Sequence, residues 1–219
     1  MKYLVLTGYD KAYEKIGAVS ERSWQTYAEN HGYQFEVARD YEVGIDARWQ
    51  KLRIIARALS KPVDFVFWID ADTYCTNPSV ELSRWTAESG AHLQASRDWV
   101  EQVGDYWTSC AMIMKTSKAM KEVIELARKE TFCGQGGTYD QDALHVVTDK
   151  NPKFRGFVKV WPRKDMAAIH LNTFPNEHVA AEPWTPGDFL VHFTCVQWSH
   201  RERLIKEFEN RYPPRKAAQ

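Results

Sequence analysis

Two carboxylates stand directly after the most apolar run in the sequence. The run Phe65–Ile69 contains only aromatic and β-branched residues, and Asp70, Ala71 and Asp72 follow it. An unbroken run of this kind is typical of a strand that is buried on both faces in the middle of a parallel sheet. Ligands of open α/β sheets bind beyond the carboxyl ends of the strands. The sequence therefore places Asp70 and Asp72 where a ligand would bind.

Two hard oxygen donors separated by one small residue suit a divalent cation. Mg²⁺ and Mn²⁺ are held by few protein carboxylates and keep coordination positions open for substrate phosphates. Asp70 and Asp72 thus indicate the metal and diphosphate site of a transferase. The alternative is an ordinary turn before Asn77 and Pro78, because Asp side chains accept hydrogen bonds from nearby backbone amides. The buried strand favours the metal site, since an unpaired charge beside a core strand is costly.

The overall composition is that of one globular domain. The chain has 219 residues, of which 44% are hydrophobic and 26% charged. Basic and acidic residues number 29 each, so no net charge attracts nucleic acid or an anionic membrane. The brief apolar run at the N-terminus is too short for a signal peptide or an integral membrane segment, and a cytoplasmic location is expected. Four widely spaced cysteines argue against structural zinc and a dense disulfide framework.

Strands and helices alternate along most of the chain. Their order predicts an α/β fold with a central, mostly parallel sheet flanked by helices, in one domain over residues 1–212 with a tail at 213–219. Gly32 is expected to close the first helix as a left-handed cap. The predicted strands are 3–7, 33–38, 64–69, 91–96, 107–115, 157–161, 166–171 and 188–195. The predicted helices are 13–31, 47–59, a short one after Pro78, one after Ser117, one from Asp140, and 199–210.

The loop after the first strand is a candidate nucleotide site. In a nucleotide-binding sheet, Thr7–Asp10 is the natural place for a base and ribose, and Tyr9 could stack on the base. Gly8 and Tyr9 are equally compatible with an ordinary turn. Arg48 and Lys51, near the start of the second predicted helix, either reach donor phosphates or remain solvated surface charges.

Further candidates lie in the second half of the chain. The glycine-rich segment 133–138 is not a phosphate loop, because it lacks the Gly-Lys-Ser/Thr ending and a preceding strand. Asp140 follows it and is either the N-cap of a helix or, together with Gln141, faces a reacting sugar. His192 stands alone in the apolar last strand, as a satisfied core histidine or as a metal ligand.

In this order the residues resemble the retaining glycosyltransferase family of yeast α-galactosyl- and mannosyltransferases and plant xyloglucan xylosyltransferases. The more specific pieces of the resemblance are Trp68–Asp72 and Gly187–Phe193. The resemblance spans residues 7–195. The other matching pieces are Tyr27-Ala28 with His31-Gly32-Tyr33, Arg48-Trp49 with Lys51, Asp140-Gln141 with Ala143-Leu144, and Asn172.

The resemblance implies a GT-A fold, a single Rossmann-like α/β domain with a nucleotide-sugar half followed by an acceptor half. It also implies a divalent cation, Mn²⁺ or Mg²⁺, held by Asp72 and His192 with Asp70 assisting near the ribose. Asp140 and Gln141 would flank the sugar of a nucleoside-diphosphate donor. The residues that would hold the nucleotide and its phosphates are Thr7, Tyr9, Arg48 and Lys51.

The implied activity is transfer of a hexose or pentose from the donor to a hydroxyl of a glycan or other acceptor, with retention of configuration. Two features depart from the family. Its members are membrane-anchored, whereas no anchor is found here, so the chain looks like a compact bacterial, phage or viral relative. The family also tends to have a glycine shortly after the late histidine, whereas Phe193 and Thr194 follow His192. Arg201 or Arg203 would then supply the basic residue that covers the diphosphate.

Two other functions fit parts of the sequence. A metal-dependent nucleotidyltransferase also places carboxylates at a strand end, but it would need a glycine-rich, basic loop after the first strand, and Gly8–Lys11 is a poor version of one. A non-catalytic carbohydrate-binding protein would use the nine tryptophans to stack on sugar rings. Such a binder has no need of the metal site formed by Asp70, Asp72 and His192.

Overall fold

The structure is a computed structural model that describes residues 1–42, 44–87, 89–98, 106–130, 139–169, 183–194 and 197–215. The glycine-rich segment 133–138, Asn172 and Cys195 at the end of the last predicted strand lie outside these residues. Within the described part of the chain, no helix combines the length and the apolar character that crossing a lipid bilayer requires.

Nine strands and seven α-helices are found in the described residues. The strands are β1 (Tyr3–Gly8), β2 (Gln34–Ala38), β3 (Phe65–Ile69), β4 (Thr73–Cys75), β5 (Leu93–Arg97), β6 (Trp107–Lys115), β7 (Val158–Trp161), β8 (Ala168–Ile169) and β9 (Leu190–His192). The helices are α1 (Glu14–His31), α2 (Ala47–Ala58), α3 (Ser83–Thr86), α4 (Lys118–Ala127), α5 (Asp140–Lys150), α6 (Arg163–Met166) and α7 (Trp198–Arg211). Gly32 ends α1 with a φ of 65°, so the predicted left-handed cap is confirmed.

The main sheet has six strands in the order β2-β1-β3-β6-β5-β7. Neighbouring strands are parallel except at β6, which runs antiparallel to both β3 and β5. The predicted mostly parallel central sheet is therefore confirmed. The expectation that Phe65–Ile69 has parallel neighbours on both sides is wrong, because β6 is antiparallel to it. An apolar run reports burial on both faces of a strand and carries no signal for the direction of its neighbours.

A second sheet brings two distant parts of the sequence together. It has three strands in the order β4-β9-β8, and its antiparallel register places Thr73 opposite His192. The predicted strand 188–195 is thus shorter than expected, Leu190–His192, and belongs to this small sheet. The chain after Asp72 turns at once into β4, which the sequence did not predict. This pairing fixes His192 beside the exit of β3.

Helices cover both faces of the main sheet. Alternate residues of β3 point to opposite sides, so that Val66 and Trp68 join one hydrophobic cluster and Phe67 and Ile69 another. The first cluster includes the inner faces of α2, α4 and α5, and the second includes that of α1. A third cluster packs α1 against α7 and the small sheet. Each large apolar side chain that is fully buried contributes about 1.5–3 kcal/mol of stability.

Gly17 on α1 is required by the ring of Tyr9. A Cβ atom at position 17 would lie 2.4 Å from Tyr9 Cγ, closer than any real contact. In most helices Gly→Ala stabilises by about 0.5–1 kcal/mol. We expect Gly17→Ala instead to destabilise the protein by about 1–3 kcal/mol, because the added methyl overpacks this contact. Urea unfolding checks this, with Gly90→Ala as control, since a Cβ at Gly90 meets open space. An unchanged midpoint for Gly17→Ala would contradict the packing described.

Candidate active site

A cavity of about 650 Å³ opens at one edge of the main sheet. Its wall includes Gly8 at the end of β1, Asp70 after β3 and Asp98 after β5. Because β6 runs in the opposite direction, its early residue Ser109 lies at the same edge. The first turn of α5 contributes Asp140. The cavity is therefore at the carboxyl ends of the parallel strands, where ligands of α/β sheets bind.

The structure brings together the three predicted metal ligands. Asp70, Asp72 and His192 each offer one ligand atom, and these atoms lie within 4.8 Å of one another. His192 Nε2 is 3.3 Å from Asp72 Oδ1. Two carboxylates and one imidazole make a donor set that suits Mn²⁺ and related divalent cations. The residues present therefore fit the cation that the family resemblance implies.

Burial and neighbouring charges shift the pKa values of these three groups. Burial raises the pKa of Asp70 above its usual value, although Lys51 opposes this shift. Burial alone would also raise the pKa of Asp72, but His192 and Arg201 outweigh it and lower the pKa below the usual range. For His192, burial is outweighed by Cys110 and Asp72, which raise its pKa well above the usual value. Side-chain cations thus balance the buried carboxylates in this structure.

Arg201, near the start of α7, is one of these cations. Its Nη1 lies 2.9 Å from Asp72 Oδ2, and it also donates to the hydroxyl of Tyr13. The Arg203 side chain is 64% exposed and lies near His200 and Glu207. Of the two arginines considered from the sequence, Arg201 therefore lies at the site and Arg203 does not.

The two arginines make a matched pair of substitutions. We expect Arg201→Ala to destabilise the metal-free protein by about 2 kcal/mol, because the buried Asp72 carboxylate loses one of the two cationic side chains that contact it. Arg203→Ala is expected to change stability by less than about 0.5 kcal/mol, as for most surface residues. Urea unfolding of both variants in the presence of a chelator measures the difference. Equal midpoints would contradict the ion pair between Arg201 and Asp72.

Lys51 lies inside the site and contacts carboxylates. Its Nζ atom is 2.9 Å from Asp70 Oδ1, 2.9 Å from Asp140 Oδ2 and 3.0 Å from Ser109 Oγ. Burial alone would lower the pKa of Lys51, but Asp140 and Asp70 outweigh it and raise the pKa above the usual value. The surface-charge alternative for Lys51 is therefore wrong, since the residue is only 5% exposed.

Asp140 and Gln141 begin α5 and turn their side chains towards the sheet. Ser109 donates twice, from Oγ to Asp140 Oδ2 at 2.8 Å and from its backbone N to Gln141 Oε1 at 2.9 Å. Gln141 Nε2 donates to Asp98 Oδ2 at 2.6 Å. The N-cap is Tyr139, so the interpretation of Asp140 as the helix cap is wrong. Its carboxylate bonds to other elements because it faces the cavity rather than its own helix end.

The residues expected to hold the nucleotide lie in different surroundings. Thr7 is fully buried and is not part of the cavity wall. Tyr9 reaches the wall, but Gly17 covers its ring on one side and the guanidinium of Arg39 lies 3.9 Å from the ring centroid. Stacking of a base on Tyr9 is therefore not possible in this arrangement. Arg48 lies in the wall, with its guanidinium 3.6 Å over the ring of Tyr139.

Several residues of the wall were not predicted from the sequence. Asp98 follows a predicted strand, so the rule that singled out Asp70 would also have found it. Ser109 lies in a strand whose pattern gives no sign of a site. Arg163, which donates to the backbone oxygen of Asp98 at 2.6 Å, carries no sequence signal either. The remaining unpredicted residues of the wall include Tyr13, Tyr41, Cys110 and Trp198.

Comparisons with known proteins agree with this geometry. The sequence model of the galactosyl transferase GMA12/MNN10 family matches residues 16–88, about a third of the chain, including Lys51 and both Asp70 and Asp72. A crystal structure of a glycosyltransferase involved in the glycosylation of the major capsid of PBCV-1 superposes with a TM-score of 0.75 and 16% identity, covering 94% of this chain and 100% of that one. The chain is a glycosyltransferase with the GT-A fold. The match over 16–88 confirms the family resemblance for that segment.

Two other solved glycosyltransferase structures share the fold of this chain. GlyE from Streptococcus pneumoniae TIGR4 superposes with a TM-score of 0.57 and 14% identity, over 100% of this chain and 66% of that one. The galactosyltransferase LgtC, in complex with donor and acceptor sugar analogs, gives a TM-score of 0.55 and 13% identity, over 96% of each chain. A comparison with curated proteins found no match.

Proposed function

We propose that this glycosyltransferase is metal-dependent and moves a hexose or pentose from a nucleoside-diphosphate sugar to a hydroxyl of a glycan or other acceptor, with retention of configuration. The observation that carries the proposal is the convergence of Asp70, Asp72 and His192 on one cavity that Asp140 and Gln141 also line. The N-terminal part of the chain would bind the donor and the C-terminal part would face the acceptor.

The three clustered ligands would hold Mn²⁺ or Mg²⁺ against the donor diphosphate. When bound, such a cation supplies Lewis-acid stabilisation of the negative charge that builds on the leaving phosphate oxygen. Arg201 lies beside Asp72 and would add positive charge at the same place. Arg48 in the cavity wall would contact the donor from the α2 side, and the backbone at Gly8 would pass beside the ribose.

The sugar would lie beside the first turn of α5. Breaking the bond at C1 builds positive charge on the sugar ring, which a carboxylate or carboxamide below the ring stabilises, as in glycoside hydrolysis. Asp140 and Gln141 offer these groups in fixed orientations, held by Ser109 and Asp98. Because these two side chains would cover the lower face of the sugar ring, the acceptor hydroxyl would attack from the leaving-group face. Its proton would pass to the departing phosphate oxygen.

A thermal-shift screen tests the proposal and separates it from the two alternatives. UDP-, GDP- and CMP-sugars, nucleoside triphosphates and free glycans are added separately, each with and without Mn²⁺, and with a chelator as control. A donor at a hundred times its Kd adds about 2.7 kcal/mol of stability, or roughly 5–10 °C in Tm for a chain of this size. We expect this shift only when metal and donor are present together. A shift with nucleoside triphosphates favours a nucleotidyltransferase, and a shift with free glycans alone favours a binding protein.

Anomeric NMR of the product then tests retention of configuration, and an inverted product would contradict it.

A further inference from the structure

The ammonium group of Lys51 has all its hydrogen-bond donors engaged by the protein. An ammonium carries three N–H donors, and three oxygen atoms lie around Nζ, from Asp70, Asp140 and Ser109, at 2.9, 2.9 and 3.0 Å. The side chain is 6% exposed. No donor remains for a phosphate in this arrangement, although the sequence suggested a phosphate contact.

The partners of Lys51 belong to the two halves of the reaction site. Asp70 is a candidate metal ligand, and its Oδ1 accepts from both Lys51 and Trp68 Nε1, the latter at 2.7 Å. This pair of donors fixes the carboxylate plane and leaves the other oxygen for a cation. Asp140 lies on the sugar side, and its Oδ2 accepts from both Lys51 and Ser109. One buried positive charge thus joins the two carboxylates.

The reaction needs this connection because the cation and C1 of the sugar must be held at one fixed separation. A misplacement of 1 Å can reduce a rate by about a hundredfold. The half-buried Asp70 and the buried Asp140 would also repel each other if no cation lay between them. We propose that Lys51 is a positioning residue that ties the metal-side carboxylate Asp70 to the sugar-side carboxylate Asp140, rather than a ligand of the donor phosphates. This inference rests on the proposed function, because it assigns the two carboxylates to metal and sugar.

A double-mutant cycle tests it with the variants Lys51→Met, Asp140→Asn and their combination. With the donor and Mn²⁺, Lys51→Met is expected to lower kcat about a hundredfold and to leave the donor KM within about threefold. If Lys51 acts through Asp140, the double variant is no slower than the slower single variant, within about threefold. Lys61→Met, which removes a surface lysine paired with Glu36, is the matched control and keeps wild-type kinetics.

Two further measurements test the same role of Lys51 without depending on the kinetics of the Lys51 variant. Ser109→Ala removes the hydroxyl shared by Lys51 and Asp140 without removing a charge, and it is expected to lower kcat with unchanged donor KM. In metal-free buffer, Lys51→Met is expected to lower the unfolding midpoint, because the buried Asp140 carboxylate loses its ion pair. Adding Asp140→Asn is expected to recover at least half of this loss, since it removes the negative charge of that carboxylate.

Several results would overturn the role of Lys51. A donor KM raised more than tenfold with unchanged kcat would make Lys51 a phosphate ligand. Multiplicative losses of kcat in the cycle, or additive losses of unfolding midpoint, would show that Lys51 and Asp140 act independently. The proposed function fails in a different way, through a wild-type protein that neither responds to metal and donor nor turns over any donor. The metal-free unfolding cycle still decides whether Lys51 and Asp140 are coupled.

Discussion

Asp72→Asn is expected to lower turnover at least about a thousandfold and to remove the stabilisation by Mn²⁺ with donor. Asp72 is 8% exposed and is the carboxylate closest to His192, so it is the ligand for which the fold offers no substitute. Loss of the cation removes the stabilisation of charge on the leaving phosphate, which amounts to several kcal/mol. His192→Ala is expected to have the same two effects, because it removes the third ligand.

The choice of Asn keeps the shape of the side chain while removing its charge. Arg201 and His192 both contact Asp72, so Asp72→Ala would also remove the oxygen atoms that these two side chains contact. Steady-state kinetics and thermal shifts with Mn²⁺ measure the two effects. Asp165→Asn is the control, since that carboxylate lies on α6, outside the cavity wall, and its contact with Arg84 is a long one of 3.7 Å. Normal turnover by either Asp72→Asn or His192→Ala would show that the assigned coordination is wrong.

Asp140→Asn and Gln141→Ala are expected to separate chemistry from metal binding. Both side chains line the cavity on the sugar side and lie outside the cluster of metal ligands. Removing the group that stabilises the sugar cation is expected to lower kcat by about a hundred- to ten-thousandfold. The thermal shift with Mn²⁺ and nucleoside diphosphate is expected to remain within about 2 °C of the wild-type shift, because the diphosphate and metal contacts are intact.

The neighbouring Asp142 offers a control on the same helix turn. Its carboxylate accepts from the Tyr106 hydroxyl and is not part of the cavity wall, so Asp142→Asn is expected to keep turnover within about threefold. Kinetics at saturating donor distinguish the two candidates, and the variant with the larger loss of kcat marks the group beneath the ring. Unchanged kcat in both Asp140→Asn and Gln141→Ala would place the sugar elsewhere in the cavity.

Much of the fold follows from patterns that a sequence reports directly. The strand Trp107–Lys115 begins and ends as predicted, because it contains an apolar run, Cys110–Met114, that is buried throughout. The cap of α4 is the predicted Ser117, whose hydroxyl accepts from the Met120 backbone N–H. The helix after Pro78 begins only at Ser83, and β4 was missed. Strands of three residues are too short for periodicity to identify them.

The candidate metal ligands were predictable because two of them follow a long buried strand. Asp70 and Asp72 stand out against the apolar run before them, whereas His192 became a candidate ligand chiefly through the family resemblance. Its position beside Asp72 depends on the pairing of β4 with β9, which joins segments more than a hundred residues apart. A hydrophobic pattern shows that a strand is buried and does not show which strand it pairs with. The structure was needed for that step.

The roles of individual charges were less predictable than their positions. The sequence suggested phosphate contacts for Lys51 and base stacking for Tyr9. The structure surrounds the Lys51 ammonium with two carboxylates and a hydroxyl, and it packs Gly17 and Arg39 against the Tyr9 ring. Both outcomes depend on which residues of distant elements lie opposite the side chain. Spacing along one helix or loop carries no such information.

The most direct test of the account is the position of the bound cation. Crystals grown with Mn²⁺ and a nucleoside diphosphate, measured at the manganese absorption edge, report that position by anomalous scattering. We predict one strong anomalous peak in contact with the side chains of Asp72 and His192 and with the diphosphate. A peak elsewhere with none at these residues, or a diphosphate bound in the cavity without a cation, would contradict the assignment of the site.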